Sequence, residues 1–181
     1  MAMTAALEYR AVVFDLDGTL VRLAVDWERV TEAVADTLEA RGVAPPADLW
    51  SMLETADRAG VRPAVESTIA AFERDGARQA DRLPAADTVP DTTAGVCSLN
   101  CEDACRIALS EHAIDGIATV VGRDTVATEK PDPEPLVETV RRLDADPADT
   151  VFVGDSDRDA RTAERACVDY LDVSAWLRAY A

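Results

Sequence analysis

The sequence predicts an α/β fold: a doubly wound, Rossmann-like parallel sheet with a small all-helical cap inserted after the first strand. Three observations predict it. Residues 11–16 (AVVFDL) form a short, apolar, β-branched run, which is typical of a strand buried on both faces. Three amphipathic helical patterns follow that run directly. From about Thr93 onward, strand and helix patterns alternate, as they do in parallel sheets.

The inserted segment contains three predicted helices. The first starts after Asp26, a suitable N-cap, and ends at Gly42; the second follows Pro46 and ends near Gly60. The third starts at Pro63, because proline is favoured in the first helical turn. Their apolar faces carry, in turn, Trp27, Val30, Val34 and Leu38, then Leu49, Met52, Leu53 and Ala56, and finally Val65, Ile69 and Phe72.

After the insertion, residues 83–91 contain two prolines and are interpreted as a linker back to the sheet. The strand patterns that follow are TAGVCSL, GIATVV, TVFV and YLDV, and the helix patterns between them are CEDACRIALSEHAI, PEPLVETVRRL and RDARTAERAC. We therefore expect residues 1–22 and 84–181 to form the core domain and residues 23–83 to form the cap.

Composition excludes several classes of protein. The chain has 181 residues with a formal net charge of -17, which is too acidic for a nucleic-acid binder. Lys130 is the only lysine, and arginine supplies every other basic side chain. Genomic bias explains arginine over lysine but not the acidic excess, so we expect adaptation to molar salt, where self-repulsion is screened. No apolar run is long enough to span a membrane and no charged leader precedes one, so we expect a cytoplasmic protein with no membrane partner.

The cysteines and the single histidine exclude further chemistries. Cys97, Cys101, Cys105 and Cys167 match no paired zinc spacing, and we expect them to stay reduced, mainly as small buried apolar groups. His112 stands alone, which excludes a Ser-His-Asp triad and any site with several histidine ligands.

Polar motifs follow the predicted strands at the edge where functional residues of such sheets collect. The first strand ends in DLDGT, the second in SLN, and the TVFV strand in GDS with a further aspartate three residues on. The only lysine lies in the loop after GIATVV. Each motif taken singly also fits a turn or a helix cap, but the four together predict one site. Its candidate residues are Asp15, Asp17, Thr19, Ser98, Asn100, Lys130, Asp155 and Asp159.

With these motifs the sequence resembles the haloacid dehalogenase-like hydrolase superfamily, and within it the phosphoglycolate phosphatase-like branch, from residue 11 to about residue 173. The resemblance implies a phosphatase that acts on a small phosphorylated metabolite. In it Asp15 is the nucleophile and Asp17 the general acid and base. Ser98 and Lys130 hold the phosphoryl oxygens, and Thr19 and Asn100 are further candidates for that role.

The resemblance also implies a Mg²⁺ ion. Its ligands are the Asp15 carboxylate, the Asp17 backbone carbonyl and Asp155, and Asp159 assists in the acidic site. The charge balance is consistent with a bound ion, because four carboxylates this close together cannot all be ionised without positive charge to compensate them. The ion and Lys130 supply three positive charges against four negative ones, and a proton on Asp17 brings the site near neutrality. Asp15 can then attack phosphorus in line while Asp17 protonates the leaving alcohol and later deprotonates water.

Other chemistries of the superfamily can be ranked from the same residues. Dehalogenases lack the second acid of the D-x-D pair, so Asp17 argues against dehalogenation. A phosphonatase needs a lysine in the cap, and the cap has none. A phosphomutase remains open. A phosphorylated receiver module is disfavoured because the GIATVV strand ends without an aspartate and Lys130 precedes the GDS motif. A relative that only binds a partner also remains open.

The sequence departs from the superfamily between the cap and the second strand. Relatives usually carry a helix there, but LPAADTVPDTTAG is too short and too rich in proline for one. We therefore expect one sheet face to be poorly covered, and a homodimer is the hypothesis that would cover it. In the cap we expect Trp27 and Trp50 to be packing residues. Arg58 and Arg62 are candidates for binding a substrate anion, although solvated ion pairs are the favoured interpretation.

Overall fold

The computed structural model describes residues 9–90 and 93–180. In chain order its elements are β1 (Ala11–Phe14), β2 (Val21–Arg22), α1 (Trp27–Glu39), α2 (Leu49–Ala59), α3 (Arg62–Arg78), β3 (Asp81–Arg82), β4 (Thr93–Cys97), α4 (Glu102–Glu111), β5 (Ile117–Val121), α5 (Glu134–Arg142), β6 (Thr150–Gly154), α6 (Asp157–Ala166), β7 (Asp169–Asp172) and α7 (Val173–Tyr180), with short 3-10 helices at Pro84–Thr88 and Pro147–Asp149. Parts of the predicted core and linker, residues 1–8, 91–92 and 181, lie outside the described residues. None of these helices combines the length and apolarity needed to cross a membrane.

The main sheet has five parallel strands in the order β5-β4-β1-β6-β7. Val12 of the central strand β1 pairs with Ala94 of β4 on one side and with Val151 of β6 on the other. All four residues of β1 are buried, because α5 and α6 cover one face and α4 and α7 the other. This arrangement confirms the predicted doubly wound α/β class. The chain reverses its winding direction at β1, the position where such sheets bind ligands.

The C-terminal helix α7 covers the sheet face that was expected to be poorly covered. Trp176 is 1% exposed, and its ring meets Phe14 edge to face with the centroids 5.6 Å apart. Its Nε1 donates to Thr88 Oγ1 at 2.7 Å, which joins α7 to the short helix Pro84–Thr88. The expectation of a poorly covered face is therefore wrong, because the sequence analysis assigned no helix after the last strand. The homodimer hypothesis therefore loses its support, because no second subunit is needed to cover this face.

The three helices of the inserted segment pack around an apolar cluster of their own. It consists of Val30, Val34, Leu38, Met52, Leu53, Ala56, Val65 and Ile69. Asp26 and Asp48 start α1 and α2 by accepting backbone N–H bonds, and Gly60 ends α2 with a φ of 68°. The chain enters and leaves the segment through β2 and β3, a short antiparallel pair that the sequence analysis did not predict. Trp27 lies three residues before Val30 on the apolar side of α1, but its side chain is 43% exposed and is not part of the cluster.

Candidate active site

Asp15, Lys130 and Asp159 form a buried cluster of charges at the carboxyl edge of the sheet. Lys130 Nζ donates to Asp15 Oδ1 at 3.0 Å, to Asp159 Oδ1 at 2.5 Å and to the Cys97 carbonyl at 3.3 Å. Asp15 follows β1, Asp159 lies in the first turn of α6, and Lys130 lies in the loop between β5 and α5. The fold thus brings together three residues that are far apart in sequence.

Burial and mutual attraction shift the pKa values within this cluster. Burial, which penalises the ionised carboxylate, raises the pKa of Asp15 to about 7, and the nearby charge of Asp159 adds to the rise while Lys130 opposes it. Burial disfavours the charge of Lys130, but attraction by Asp15 and Asp159 outweighs it and holds the pKa of Lys130 above its ordinary value. At neutral pH Lys130 is therefore charged, and Asp15 keeps its proton to a higher pH than an exposed aspartate does.

Asp155 completes a set of carboxylates that fits a divalent cation. One oxygen from each of Asp15, Asp155 and Asp159 lies within 4.8 Å of the other two. Asp155 is exposed and the other two are buried, so the set lies where the interior meets solvent. Carboxylate oxygens are the ligands that Mg²⁺ and Ca²⁺ prefer. The three side chains that the sequence singled out as metal ligands therefore lie close enough to bind one ion.

Two glycines allow these carboxylates to approach the backbone. Gly18 has a φ of +85°, and a Cβ at this position would lie 2.1 Å from Asp155 Oδ2. A Cβ on Gly154 would lie 2.7 Å from Asp159 side-chain atoms. The glycines in the DLDGT and GDS motifs are thus part of the site, because a larger residue would occupy the space of a carboxylate.

Asp17 also faces the site, from a half-buried position. Its Oδ1 accepts the Leu23 N–H at 2.9 Å, which fixes the carboxylate, and the residue lines the cavity described below. Burial is the main cause that raises the pKa of Asp17, and repulsion by Asp155 adds to it. A raised pKa favours a protonated carboxyl group, which is the state that a general acid requires.

Ser98 and Asn100 line the same cavity as Asp15, whereas Thr19 is not among the lining residues. Ser98 Oγ donates to Asn100 Oδ1 at 3.0 Å and accepts the Asn100 backbone N–H at 3.2 Å. Both residues line the cavity. Thr19 is 1% exposed, and among the described residues its Oγ1 has no hydrogen-bond partner. The structure therefore brings Ser98 and Asn100 to the cavity that Asp15 lines, whereas Thr19 is buried and is not among the lining residues.

A cavity of about 900 Å³ opens between this edge of the sheet and the helical segment. Trp27 and Trp50 line it and are 43% and 49% exposed. The predicted role of these two side chains as packing residues is therefore wrong. The Arg158 guanidinium lies 4.7 Å from the centre of the Trp50 ring, which connects α6 to α2 across the cavity.

Five charged residues that the sequence analysis missed also line the cavity: Glu73, Arg123, Asp157, Arg158 and Arg161. For Glu73 a signal existed, since it follows Ile69 by four residues and so places a carboxylate on the buried face of a helix. For the arginines no signal existed, because arginine is common throughout this chain.

The cap arginines Arg58 and Arg62 stay outside this cavity. Arg62 pairs with Asp57 and Glu66, each at 2.7 Å, as the favoured interpretation anticipated. Arg58 is exposed and donates to Thr55.

The cysteines are all free thiols. Cys97, Cys101 and Cys105 are buried, as expected, whereas Cys167 is exposed. None of them belongs to the carboxylate set described above.

Comparison with known proteins assigns the family. A sequence profile of the haloacid dehalogenase-like hydrolases matches residues 9–166. The chain belongs to this family of hydrolases. It is 34% identical to a phosphoglycolate phosphatase of Cupriavidus necator, over 90% of this chain and 80% of that protein. It is also 30% identical to an N-acetylmuramic acid 6-phosphate phosphatase of Pseudomonas putida, over 88% of this chain and 80% of that protein.

Solved structures share the fold at lower sequence identity. A hydrolase from Pseudomonas syringae superimposes with a TM-score of 0.66 at 21% identity, over 95% of this chain and 91% of that one. CbbY from Rhodobacter sphaeroides, solved in complex with phosphate, gives a TM-score of 0.63 at 22% identity, over 91% of this chain and 85% of that one. These similarities support the Rossmann-like architecture of the family.

Proposed function

We propose that this hydrolase is a Mg²⁺-dependent phosphatase that cleaves a small phosphate monoester through an aspartyl-phosphate intermediate. The observation that carries the proposal is the contact of Lys130 with Asp15 and Asp159, beside Asp155, at a strand edge that opens into a cavity. A nucleophilic carboxylate, a fixed cation and a set of metal ligands are what phosphoryl transfer requires. The phosphatases among the relatives support the same reaction class.

The carboxylates of Asp15, Asp155 and Asp159 are the side chains that would hold the metal, together with the Asp17 carbonyl. Three carboxylate oxygens within 4.8 Å of one another fit a hard divalent cation. When bound, Mg²⁺ supplies positive charge against the phosphoryl oxygens and lowers the repulsion between the phosphate and the carboxylates. It also favours the ionised form of Asp15.

The remaining steps follow from the side chains of the chain itself. The ionised Asp15 carboxylate forms a bond to phosphorus as the bond to the ester oxygen breaks, and Asp17 gives its proton to the departing alcohol. Asp17 then takes a proton from water, which attacks the aspartyl-phosphate and releases inorganic phosphate. The Leu23 N–H on Asp17 Oδ1 leaves Oδ2 to carry the proton.

Phosphate binding falls to Lys130, Ser98 and Asn100. Lys130 is the charged group among them, and its hydrogen bond to Asp15 supports a role in binding a phosphoryl oxygen next to that carboxylate. Ser98 and Asn100 line the same cavity. Thr19 was a fourth candidate, but it is buried and does not line the cavity, so the proposal does not include it.

Residues 23–83 are proposed as the cap that shelters this reaction from water. The three helices of this segment pack around their own apolar cluster on the far side of the cavity from the strand edge. Trp27 of α1 and Trp50 of α2 line the cavity. Exclusion of water strengthens the electrostatic interactions of the site. A cytoplasmic location stays a prediction of the sequence, whereas the homodimer has lost its supporting argument because α7 covers the sheet face.

The test is Mg²⁺-dependent hydrolysis of p-nitrophenyl phosphate in molar KCl, with Asp15→Asn as the matched variant. We expect turnover that EDTA abolishes and that Asp15→Asn loses by at least about a thousandfold, because the nucleophile is gone. Circular dichroism shows that both proteins are folded. Unchanged turnover in Asp15→Asn would refute the mechanism. A folded wild type without turnover would favour a phosphomutase or a binding protein.

A further inference from the structure

Glu73 of α3 is a fully buried carboxylate whose partners all come from core loops. Its Oε1 accepts Asn100 Nδ2 at 3.2 Å and Arg123 Nη1 at 2.7 Å. Its Oε2 accepts the Cys101 backbone N–H at 3.0 Å and Arg123 Nη2 at 3.1 Å. A buried carboxylate needs its oxygens satisfied, and here four donors across the boundary between the helical segment and the core satisfy them.

Arg123 holds the same loop from the other side. In addition to its two bonds to Glu73, its Nη1 donates to the Leu99 carbonyl at 2.6 Å and its Nε donates to Glu66 at 2.8 Å. Its backbone N–H donates to the Asn100 carbonyl at 2.9 Å. Arginine is the side chain that can make these contacts together, because its guanidinium carries five donors in a planar fork.

These contacts fix the orientation of the Asn100 side chain and of the peptide before it. Since an ionised carboxylate only accepts, the Asn100 amide must point Nδ2 at Glu73 and Oδ1 at the Ser98 hydroxyl. Arg123 holds the carbonyl of the peptide that joins Leu99 to Asn100, and the N–H of that peptide donates to Ser98 Oγ. The position of the Ser98 hydroxyl is thereby set from two directions.

The same arrangement leaves one backbone donor for a ligand. Leu99 lines the cavity, and within residues 93–180 and 9–90 its N–H donates to no protein group. Oriented backbone N–H groups and hydroxyls are common donors to phosphate oxygens.

We propose that Glu73 and Arg123 are positioning residues for phosphate binding: their buried ion pair holds the Ser98–Leu99–Asn100 loop in the geometry that receives the phosphoryl oxygens. The inference rests on the proposed function. It makes the phosphate affinity of the core depend on a residue of the helical segment, which touches no phosphate itself.

The test uses inorganic phosphate as a competitive inhibitor of Mg²⁺-dependent p-nitrophenyl phosphate hydrolysis. Glu73→Gln keeps the shape but has one acceptor oxygen for four donors, so the loop loses at least one contact. We expect the inhibition constant for phosphate and KM to rise about tenfold while kcat changes less than about threefold, because the loop binds the phosphoryl group in ground and transition states alike. Arg123→Lys keeps the charge opposite Glu73 but cannot make the forked contacts, and we expect the same result from it.

Glu66→Gln is the matched control. Glu66 lies on the same helix and contacts the same arginine, but it makes no bond to the Ser98 loop. We expect its phosphate inhibition constant to stay within about twofold of the wild type. Arg123→Lys leaves Glu73 with a charged partner, so this variant tests the proposal if Glu73→Gln fails to fold. A folded Glu73→Gln or Arg123→Lys with wild-type phosphate affinity would overturn the proposal.

A double-variant cycle separates positioning from a general loss of stability. If Glu73 acts through Ser98, the effect of Glu73→Gln on phosphate affinity shrinks to less than about twofold in a Ser98→Ala background. Fully additive effects would contradict the proposal. The proposed function fails differently: in that case the wild type itself shows no Mg²⁺-dependent turnover and no inhibition by phosphate.

Discussion

Replacing Asp15 by asparagine in the metal-free protein tests the ionisation of the buried cluster. Asparagine keeps Oδ1 as the acceptor for Lys130 and for the Leu16 N–H, but it carries no proton to lose. The unfolded chain releases the Asp15 proton near pH 3.8, whereas burial raises the pKa in the folded protein to about 7. Because the folded state holds the proton more tightly, ionisation of Asp15 destabilises the fold as pH rises.

The size of the effect follows from the two pKa values. Below about pH 4 Asp15 is protonated in both the folded and the unfolded state, so its ionisation does not lower the free energy of unfolding. Between about pH 4 and pH 7 the folded state alone keeps the proton, so the free energy of unfolding falls by about 1.4 kcal/mol per pH unit. Above pH 7 the loss is complete. A shift from 3.8 to about 7 corresponds to about 4 kcal/mol, which Asp15→Asn recovers at pH 8.

Urea unfolding in EDTA and molar KCl, followed by circular dichroism at several pH values, measures this difference. We expect Asp15→Asn and the wild type to be equally stable near pH 4 and Asp15→Asn to be the more stable at pH 8. Added Mg²⁺ should stabilise the wild type more than the variant, since the variant lacks one of the carboxylates that would bind the ion. Asp36→Asn, at an exposed position of α1, is the control for the change in net charge and should show no such trend. Parallel curves for Asp15→Asn and the wild type from pH 4 to pH 8 would refute the reasoning.

Four further results are expected. Asp155→Asn should raise the Mg²⁺ concentration for half-maximal activity at least about tenfold, because a metal ligand is lost; an unchanged Mg²⁺ titration would contradict this. Gly18→Ala should lose activity at least about a hundredfold, because its Cβ would lie 2.1 Å from Asp155 Oδ2. Gly42→Ala is the control: Gly42 also has a positive φ, +73°, but its Cβ would have no atom within 4 Å, so the variant should stay active. Equal activities of the two variants would contradict the argument that Gly18 is needed for the close approach of Asp155. Trp176→Ala should lower the free energy of unfolding by about 3–5 kcal/mol in urea titrations, and a loss below 1 kcal/mol would show that α7 does not cover Phe14. Raising KCl from about 0.1 to 2 M should raise the thermal midpoint by screening the acidic surface, and a lowered midpoint would refute salt adaptation.

The strand-end motifs and the α/β class could be predicted from the sequence, because both depend on local patterns. A β-branched run such as residues 11–16 is typical of a buried strand wherever it occurs, and in a parallel sheet the polar residues after each strand share one edge. The convergence of Asp15, Lys130 and Asp159 follows from that rule, and the structure places them in direct contact. Their catalytic roles stay predictions until the variants are measured.

Contacts between distant segments could not be predicted from the sequence. The periodicity of apolar residues shows which side of a helix or strand is apolar, but not which other element packs against that side. Trp27 lies near the apolar face of α1, yet the packing of α1 on α3 leaves it facing a cavity. Trp176 reaches Phe14 only because the chain turns back after β7. Glu73 and Arg123 are 50 residues apart, and nothing local to either one predicts their ion pair. The local pattern therefore gives the elements and the residues at the strand ends, while the packing of the helices on the sheet selects the partners of each buried charge.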